Sequence, residues 1–323
     1  MKGGLRVAGF CVICVLLFAL YLLEAHLQDL CNQYRAGAYL VDWLDRNGAA
    51  SSPISGETTQ GDKVIVMARL EEEPTDWVEQ QLPDWQRAIY IVNPSRQTRQ
   101  NANTLTIPLN KGHESMAYLT YIINNYHNLP STIAFLHAHR AGFLMAWHVD
   151  APLHDNVIAM RNLQLDFVQR NGYVNLRCNW NPGCNGSPHY NGHVTEQVWY
   201  DVFENTSTPP LNLSSPTQQE IAGRTYLRKP VEIGAACCAQ FAVSRDQVQR
   251  RPLDDYVKFR QWILDTELSD ASSGRVMEYL WHIIFAALTS NYVTAKSTDT
   301  VDFALGSRVY RQIWRRPPGG YCT

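Results

Sequence analysis

The chain opens on one long apolar stretch. From Val7 to Leu23 every position is apolar or small, and Glu24 and His26 end the run. Seventeen residues is the short limit for a helix that crosses a bilayer, and more than the usual core of a cleaved signal peptide. Lys2 and Arg6 precede the run, which orients the N-terminus to the cytoplasm and the remainder to the lumen. A cleaved signal is the rival reading. The one cleavage-like site nearby, Leu23-Glu24-Ala25, lacks the small residue wanted two positions before Ala25. The pattern therefore predicts a cytoplasmic tail over 1–6, a single-pass type II anchor over 7–23 and a stem or linker over 24–62. Within the stem, apolar periodicity from Leu27 to Leu44 predicts a short helix. Residues 47–62 are rich in Gly, Ser, Thr and Pro.

From Lys63 the pattern changes to short apolar runs separated by helical periodicity. Val64–Ala68, Ala88–Val92 and Thr132–Leu136 are near-continuous apolar segments, as expected of strands buried on both faces. Leu105–Pro108 reads as a short extended piece. Helical spacing covers 71–82, Glu114–Tyr126, Val157–Val168, Asp254–Leu268 and Gly274–Leu288, and Ile233–Val243 is an apolar stretch able to cross the core. Strands alternating with helices need crossover connections. The predicted fold is thus one α/β domain over 63–323, a mostly parallel sheet flanked by helices. Residues 171–216 read as a long loop region.

Composition narrows the function classes. The formal net charge is -2, with no basic stripe, so nucleic acid is not an expected partner. Three sequons, at Asn185, Asn205 and Asn212, point to N-glycosylation on the luminal side; Pro188 disfavours Asn185, while Asn205 and Asn212 lie in a polar, Pro-rich stretch. Cys11 and Cys14 fall in the apolar run. The other six cysteines are an even number and suit an oxidising compartment. Cys178 and Cys184 flank Asn-Trp-Asn-Pro-Gly, a turn sequence that favours a local disulfide. Cys237 and Cys238 are adjacent and are not expected to bond to each other. Together these features place the domain in the endoplasmic reticulum or Golgi.

Three clusters carry candidate chemistry. His137 and His139 are two apart at the end of the 132–136 run, so an extended backbone projects both imidazoles to one side. His148 and Asp150 repeat that spacing after a short loop. His137, His139, His148 and Asp150 are thereby candidate ligands for a divalent metal ion of unstated identity. The alternative is hydrogen-bonded histidines beside a core strand. Lys111, Gly112 and Glu114 open the helix to Tyr126, where free N–H groups favour an anion such as a phosphate; a plain helix cap explains the same residues. Glu278 and His282 are four apart on one helix face, a candidate general base with an orienting partner, or simply an intrahelical pair. Gly-x-Ser-x-Gly, a phosphate-cradling Gly-rich loop, HExxH and the dinucleotide Gly fingerprint are all missing from the sequence, which counts against serine hydrolases, ATPases and nicotinamide enzymes.

The series Val64-Ile-Val-Met-Ala-Arg69, Asn110-Lys-Gly-His-Glu114, Tyr118–Ile123, Phe135-Leu-His-Ala-His-Arg140, Trp147-His148, Gly172–Cys178, Pro182-Gly-Cys184 and Trp281-His282 resembles an uncharacterised, mainly fungal family of membrane-anchored proteins classed as a domain of unknown function. The resemblance spans about residues 63 to 290. It implies a distant kinship with nucleotide-sugar glycosyltransferases of the single α/β domain (A-type) fold, and hence a sugar or other small-molecule substrate. In those enzymes a metal-binding Asp-x-Asp ends a central strand. Here His137-Ala-His139 stands in that place, and imidazoles suit zinc, iron or copper better than manganese. The resemblance also implies a link to secondary-metabolite gene clusters. Three functions follow as expectations: a luminal glycosyltransferase-like enzyme, a metal-dependent tailoring enzyme acting on a small metabolite, or a non-catalytic tethered binding protein.

Overall fold

The computed structural model describes residues 2–45, 61–177, 179, 181, 192–203, 206, 218–221, 224–227, 233, 235 and 237–285. Asn185, Asn205, Asn212, Cys178 and Cys184 lie outside the described residues. The chain divides into two compact units, Met1–Ala49 and Ala50–Thr323. In the first, α1 (Lys2–Gln33) is one continuous helix and α2 (Ala36–Asp45) follows after a turn in which Arg35 has φ 51°. The segment Phe10–Gln33 is long and apolar enough to cross a membrane, and its side chains are exposed or half-buried. The helix thus runs ten residues past the apolar limit at Leu23, because nothing in Glu24–Gln33 breaks a helix.

The second unit is built on a six-stranded sheet of order β3-β2-β1-β4-β8-β5. Its strands are β1 (Lys63–Arg69), β2 (Gln86–Ile91), β3 (Leu105–Thr106), β4 (Thr132–His137), β5 (Tyr173–Asn175) and β8 (Phe241–Ser244). A separate hairpin pairs β6 (Gln218–Ile221) with β7 (Arg224–Leu227), and the chain also carries two short helices, α4 (Arg96–Gln100) and α9 (Arg245–Gln249). The four strands β3, β2, β1 and β4 run parallel, and β8 runs antiparallel to both β4 and β5. Strands alternate their side chains between two helical layers, as the pleat requires. Val64, Val66, Ile133, Phe135, Phe241 and Val243 face one layer. That layer holds α5 (Glu114–Asn125), α8 (Glu196–Phe203), α10 (Leu253–Asp265) and α11 (Asp270–Ile284). Ile65, Met67, Ala134, Leu136 and Ala242 face the other, where α3 (Asp76–Gln81), α6 (Asn156–Asn162) and α7 (Leu165–Asn171) pack. With apolar layers on both sides, the near-continuous hydrophobic runs of β1 and β4 are the expected sequence signature.

Several expected elements are trimmed for visible reasons. The helix expected over 71–82 begins only at Asp76, since Pro74 has no N–H and disfavours helical backbone at Glu73. The helix expected over 157–168 is broken at Leu163 and Gln164, both extended, into α6 and α7. The apolar stretch 233–243 enters the sheet only from Phe241. Within the expected 171–216 loop, β5 and α8 are ordered elements.

Candidate functional site

The first strand of the parallel set, β1, is followed in space by β2 and β3 on one side and by β4 on the other. The chain leaving β1 turns to the β2 side and the chain leaving β4 turns to the β8 and β5 side, so the two connections diverge beside the carboxyl ends of β1 and β4. In open α/β sheets, ligands bind in the crevice at such a switch point. The residues found there come from five separate segments. They are Glu73 after β1, His113 and Glu114 at the start of α5, His137 and His139 at the end of β4, Cys237 and Cys238 just before β8, and Arg275 and Glu278 on α11. Because β8 is antiparallel, its amino end lies at the carboxyl end of β4, which delivers the cysteines to this place.

His137 anchors the site. Its backbone N–H donates to Gln240 Oε1 at 2.8 Å, and its Nδ1 lies 2.9 Å from His148 Nδ1, so one ring donates and the other accepts. Its Nε2 is buried without a hydrogen-bond partner among the described residues and lies 3.9 Å from Glu114 Oε2. Burial, helped by neighbouring His139 and His113, pushes the His137 pKa down to about 4. Burial likewise pushes His148 down to about 2, so both rings are neutral at physiological pH. His148 is held over His137 by its own loop. There the Arg177 guanidinium stacks 4.8 Å from the Trp147 ring and donates to the carbonyls of Trp147 and Asn181.

The carboxylates behave in the opposite sense. Burial raises the pKa of Glu114 above the usual carboxylate range. Burial also raises Glu278 to about 7, with Glu114 pushing the same way and Arg275 opposing. Arg275 Nη1 donates to Glu278 Oε2 at 2.6 Å, and the Glu278 side chain is only 11% exposed. Two carboxyls sharing one low-dielectric crevice raise each other's cost of ionisation. Positive φ at three non-glycine residues, His113 (49°), Cys238 (98°) and Ala239 (49°), concentrates backbone strain around the same crevice.

The sequence-derived clusters are only partly assembled. The four proposed metal ligands do not converge. His137 and His148 meet, whereas His139 Nε2 turns to Glu73 Oε1 at 3.5 Å, and the Asp150 carboxylate accepts the Asn179 N–H at 2.8 Å. Asp150 is 2% exposed and serves its own loop. As a set, these residues do not fit a divalent cation. Among the described residues, the donor atoms that do lie within 4.8 Å of one another belong to Cys237, Cys238 and Glu278. Both sulfurs are committed to a Cys237–Cys238 disulfide, contrary to the expectation that neighbours would not pair. Positive φ at Cys238 supplies the backbone conformation the pairing uses. Among the described residues, Cys31 has no disulfide partner.

The anion cradle at Lys111, Gly112 and Glu114 is also not assembled. Lys111 Nζ donates to the carbonyls of Leu264 and Thr266, capping the end of α10. Asp270 accepts the His113 N–H at 2.9 Å and fills the place an anion would take. Glu114 instead faces His137. Of the helix pair Glu278 and His282, Glu278 enters the crevice, while His282 is 6% exposed in the core with its pKa pushed down to about 4 by burial. Glu73, His113 and Arg275 were not anticipated. The signal for Glu73 was available, since it follows the carboxyl end of β1 at the switch point.

No curated protein and no solved structure matches the chain. One family model does, over residues 65–300, and its description is "Protein of unknown function (DUF3431)". That match takes in the sheet from β1 onward, the crevice and α11, and so the chain belongs to the DUF3431 family.

Proposed function

We propose that this chain is a luminal, membrane-anchored enzyme of the secretory pathway, glycosyltransferase-like, that performs acid–base chemistry on a sugar or similar small polar substrate. The observation that carries the reading is the convergence of Glu114, Glu278, His137 and His148 at the sheet's switch point. A carboxyl whose pKa lies near working pH serves as base in one step and acid in the next. Glu278 is that group. It takes the proton from an attacking hydroxyl, Arg275 holds the resulting carboxylate geometry, and the neutral His137–His148 pair orients the substrate by hydrogen bonding. No step is routed through a metal ion, because the proposed ligands do not converge. The apolar α1 supplies the tether, with type II orientation read from Lys2 and Arg6, and Asn205 and Asn212 as the favoured glycan sites.

The test is a binding panel of nucleoside diphosphate sugars against the full chain in detergent, read by calorimetry with and without added divalent cations. Binding by the wild type, with turnover lost but binding kept in Glu278→Gln, supports the reading. Failure of the whole panel overturns the transferase assignment.

A further inference from the structure

We propose that Cys237, Cys238 and the Glu278 carboxyl beside them form a redox-active dithiol–disulfide centre that exchanges two electrons with a small thiol substrate. Four observations carry it. The bridge joins sequence neighbours, so it closes the shortest loop a disulfide can close and ties no distant segments together. The stabilisation a disulfide gives by constraining the unfolded chain grows with loop length, and is least here. The backbone at Cys238 (φ 98°) and Ala239 (φ 49°) is in a left-handed conformation that is strained for a non-glycine residue and that clusters at functional sites. Both sulfurs and a Glu278 oxygen lie within 4.8 Å of one another. Cys237 and Cys238 are themselves buried, 3% and 6% exposed, and reach the switch-point crevice beside His137, whose side chain is 21% exposed.

The chemistry balances with a thiol as the named reductant. The first thiol loses its proton to water, and its thiolate attacks one sulfur of the pair. A mixed disulfide forms as the Cys237–Cys238 bond breaks, and the departing sulfur takes the proton of the Glu278 carboxyl. A second thiol then gives its proton to the Glu278 carboxylate and attacks the outer sulfur of the mixed disulfide. The two substrate thiols leave as one disulfide, oxidised by two electrons. The remaining cysteine thiolate takes up a proton from water, and Glu278 returns to its starting form. Arg275, Glu114, His137 and the Cys238 backbone are the charged, titratable and polar groups that face this exchange.

The inference shares Glu278 with the proposed acid–base site but needs no turnover of a sugar substrate, so either can fail alone. The experiment uses the full chain in detergent, exposed to dithiothreitol from pH 5 to pH 9, with thiols trapped by alkylation and mapped by peptide mass spectrometry. Cys237 and Cys238 are expected to be alkylated together while the native fold persists, with reduction about tenfold slower at neutral pH in Glu278→Gln. A wild-type rate whose pH profile departs from the thiolate fraction of dithiothreitol supports the same role if that variant does not fold. A pair that resists reduction until the protein is denatured overturns the proposal. So does a pair found as free thiols in protein isolated without reductant, or a wild-type profile that merely tracks the reagent.

Discussion

Gly274 on α11 lies directly against His113 at the start of α5. A Cβ at 274 would stand 2.4 Å from His113 Cδ2 and 3.0 Å from His113 Cβ. Glycine here allows the two helices to bring Glu114 and Glu278 into one crevice, with Asp270 tying His113 through both its N–H and its Nδ1. In an isolated helix, Gly→Ala stabilises by up to about 1 kcal/mol. The collision outweighs this, because the whole imidazole and its attachment must move. Gly274→Ala is expected to lower stability by about 1–3 kcal/mol, read as a lower melting temperature. A raised melting temperature would show that the approach of α5 to α11 is not close-packed.

His282 gives the fold a defined acid limit. The folded-state pKa is depressed to about 4, and an unfolded histidine titrates near 6.5. The unfolded chain therefore binds the proton first, and stability falls as pH drops. The contribution is fully present above about pH 6.5 and is lost progressively from there toward pH 4, amounting to about 3 kcal/mol. His137 titrates in the same window and adds to the slope. Urea midpoints measured at pH 7.5 and pH 5 should differ less in His282→Asn than in the wild type. Equal pH slopes would place the ring's titration elsewhere.

The sheet was more legible than the crevice, and for a physical reason. β1, β2 and β4 are buried on both faces, so Val64–Ala68, Ala88–Val92 and Thr132–Leu136 announce themselves as apolar runs. Direction carries no such signature. The antiparallel β8 (Phe241–Ser244) has the same apolar character as a parallel strand, so the placement of Cys237 and Cys238 beside His137 could not be foreseen. The ligand set failed similarly. The i, i+2 spacing of His137 and His139 assumed that the strand continued, but β4 ends at His137, and the Ala138 carbonyl accepts the Trp77 indole N–H at 2.9 Å. Lys111 reads in sequence as an anion-binding cation. Only the tertiary approach of α10 offers its ammonium the helix-end carbonyls it takes instead.

Asp150 separates a structural from a coordinating role. Its carboxylate accepts the Asn179 N–H, and its own N–H donates to Leu176 O at 3.3 Å, fixing the loop that carries His148. Removing a buried charged acceptor costs about 1.5–3 kcal/mol. Asp150→Ala is expected to lower the urea midpoint accordingly and to leave the metal content, measured by elemental analysis, unchanged from wild type. Loss of a stoichiometric divalent ion in the variant would restore Asp150 to a coordination site.

Glu278 should report its own environment directly. Burial and the nearby Glu114 raise its pKa to about 7, and the Arg275 guanidinium works in the other direction. The wild type minus Glu278→Gln infrared difference should therefore show a protonated-carboxyl band that disappears as pH rises through neutrality. Arg275→Met removes the cation that favours the carboxylate, and the ionised form, 11% exposed, loses its ion pair with that guanidinium. In that variant the band should persist to higher pH than in the wild type. Base catalysis would then begin at correspondingly higher pH, because the reactive form is the carboxylate. A band that titrates in the ordinary carboxylate range, near pH 4, would mean that solvent reaches Glu278 freely. Glu278 would then be neither the acid–base group of the proposed enzyme nor the proton donor to the Cys237–Cys238 pair.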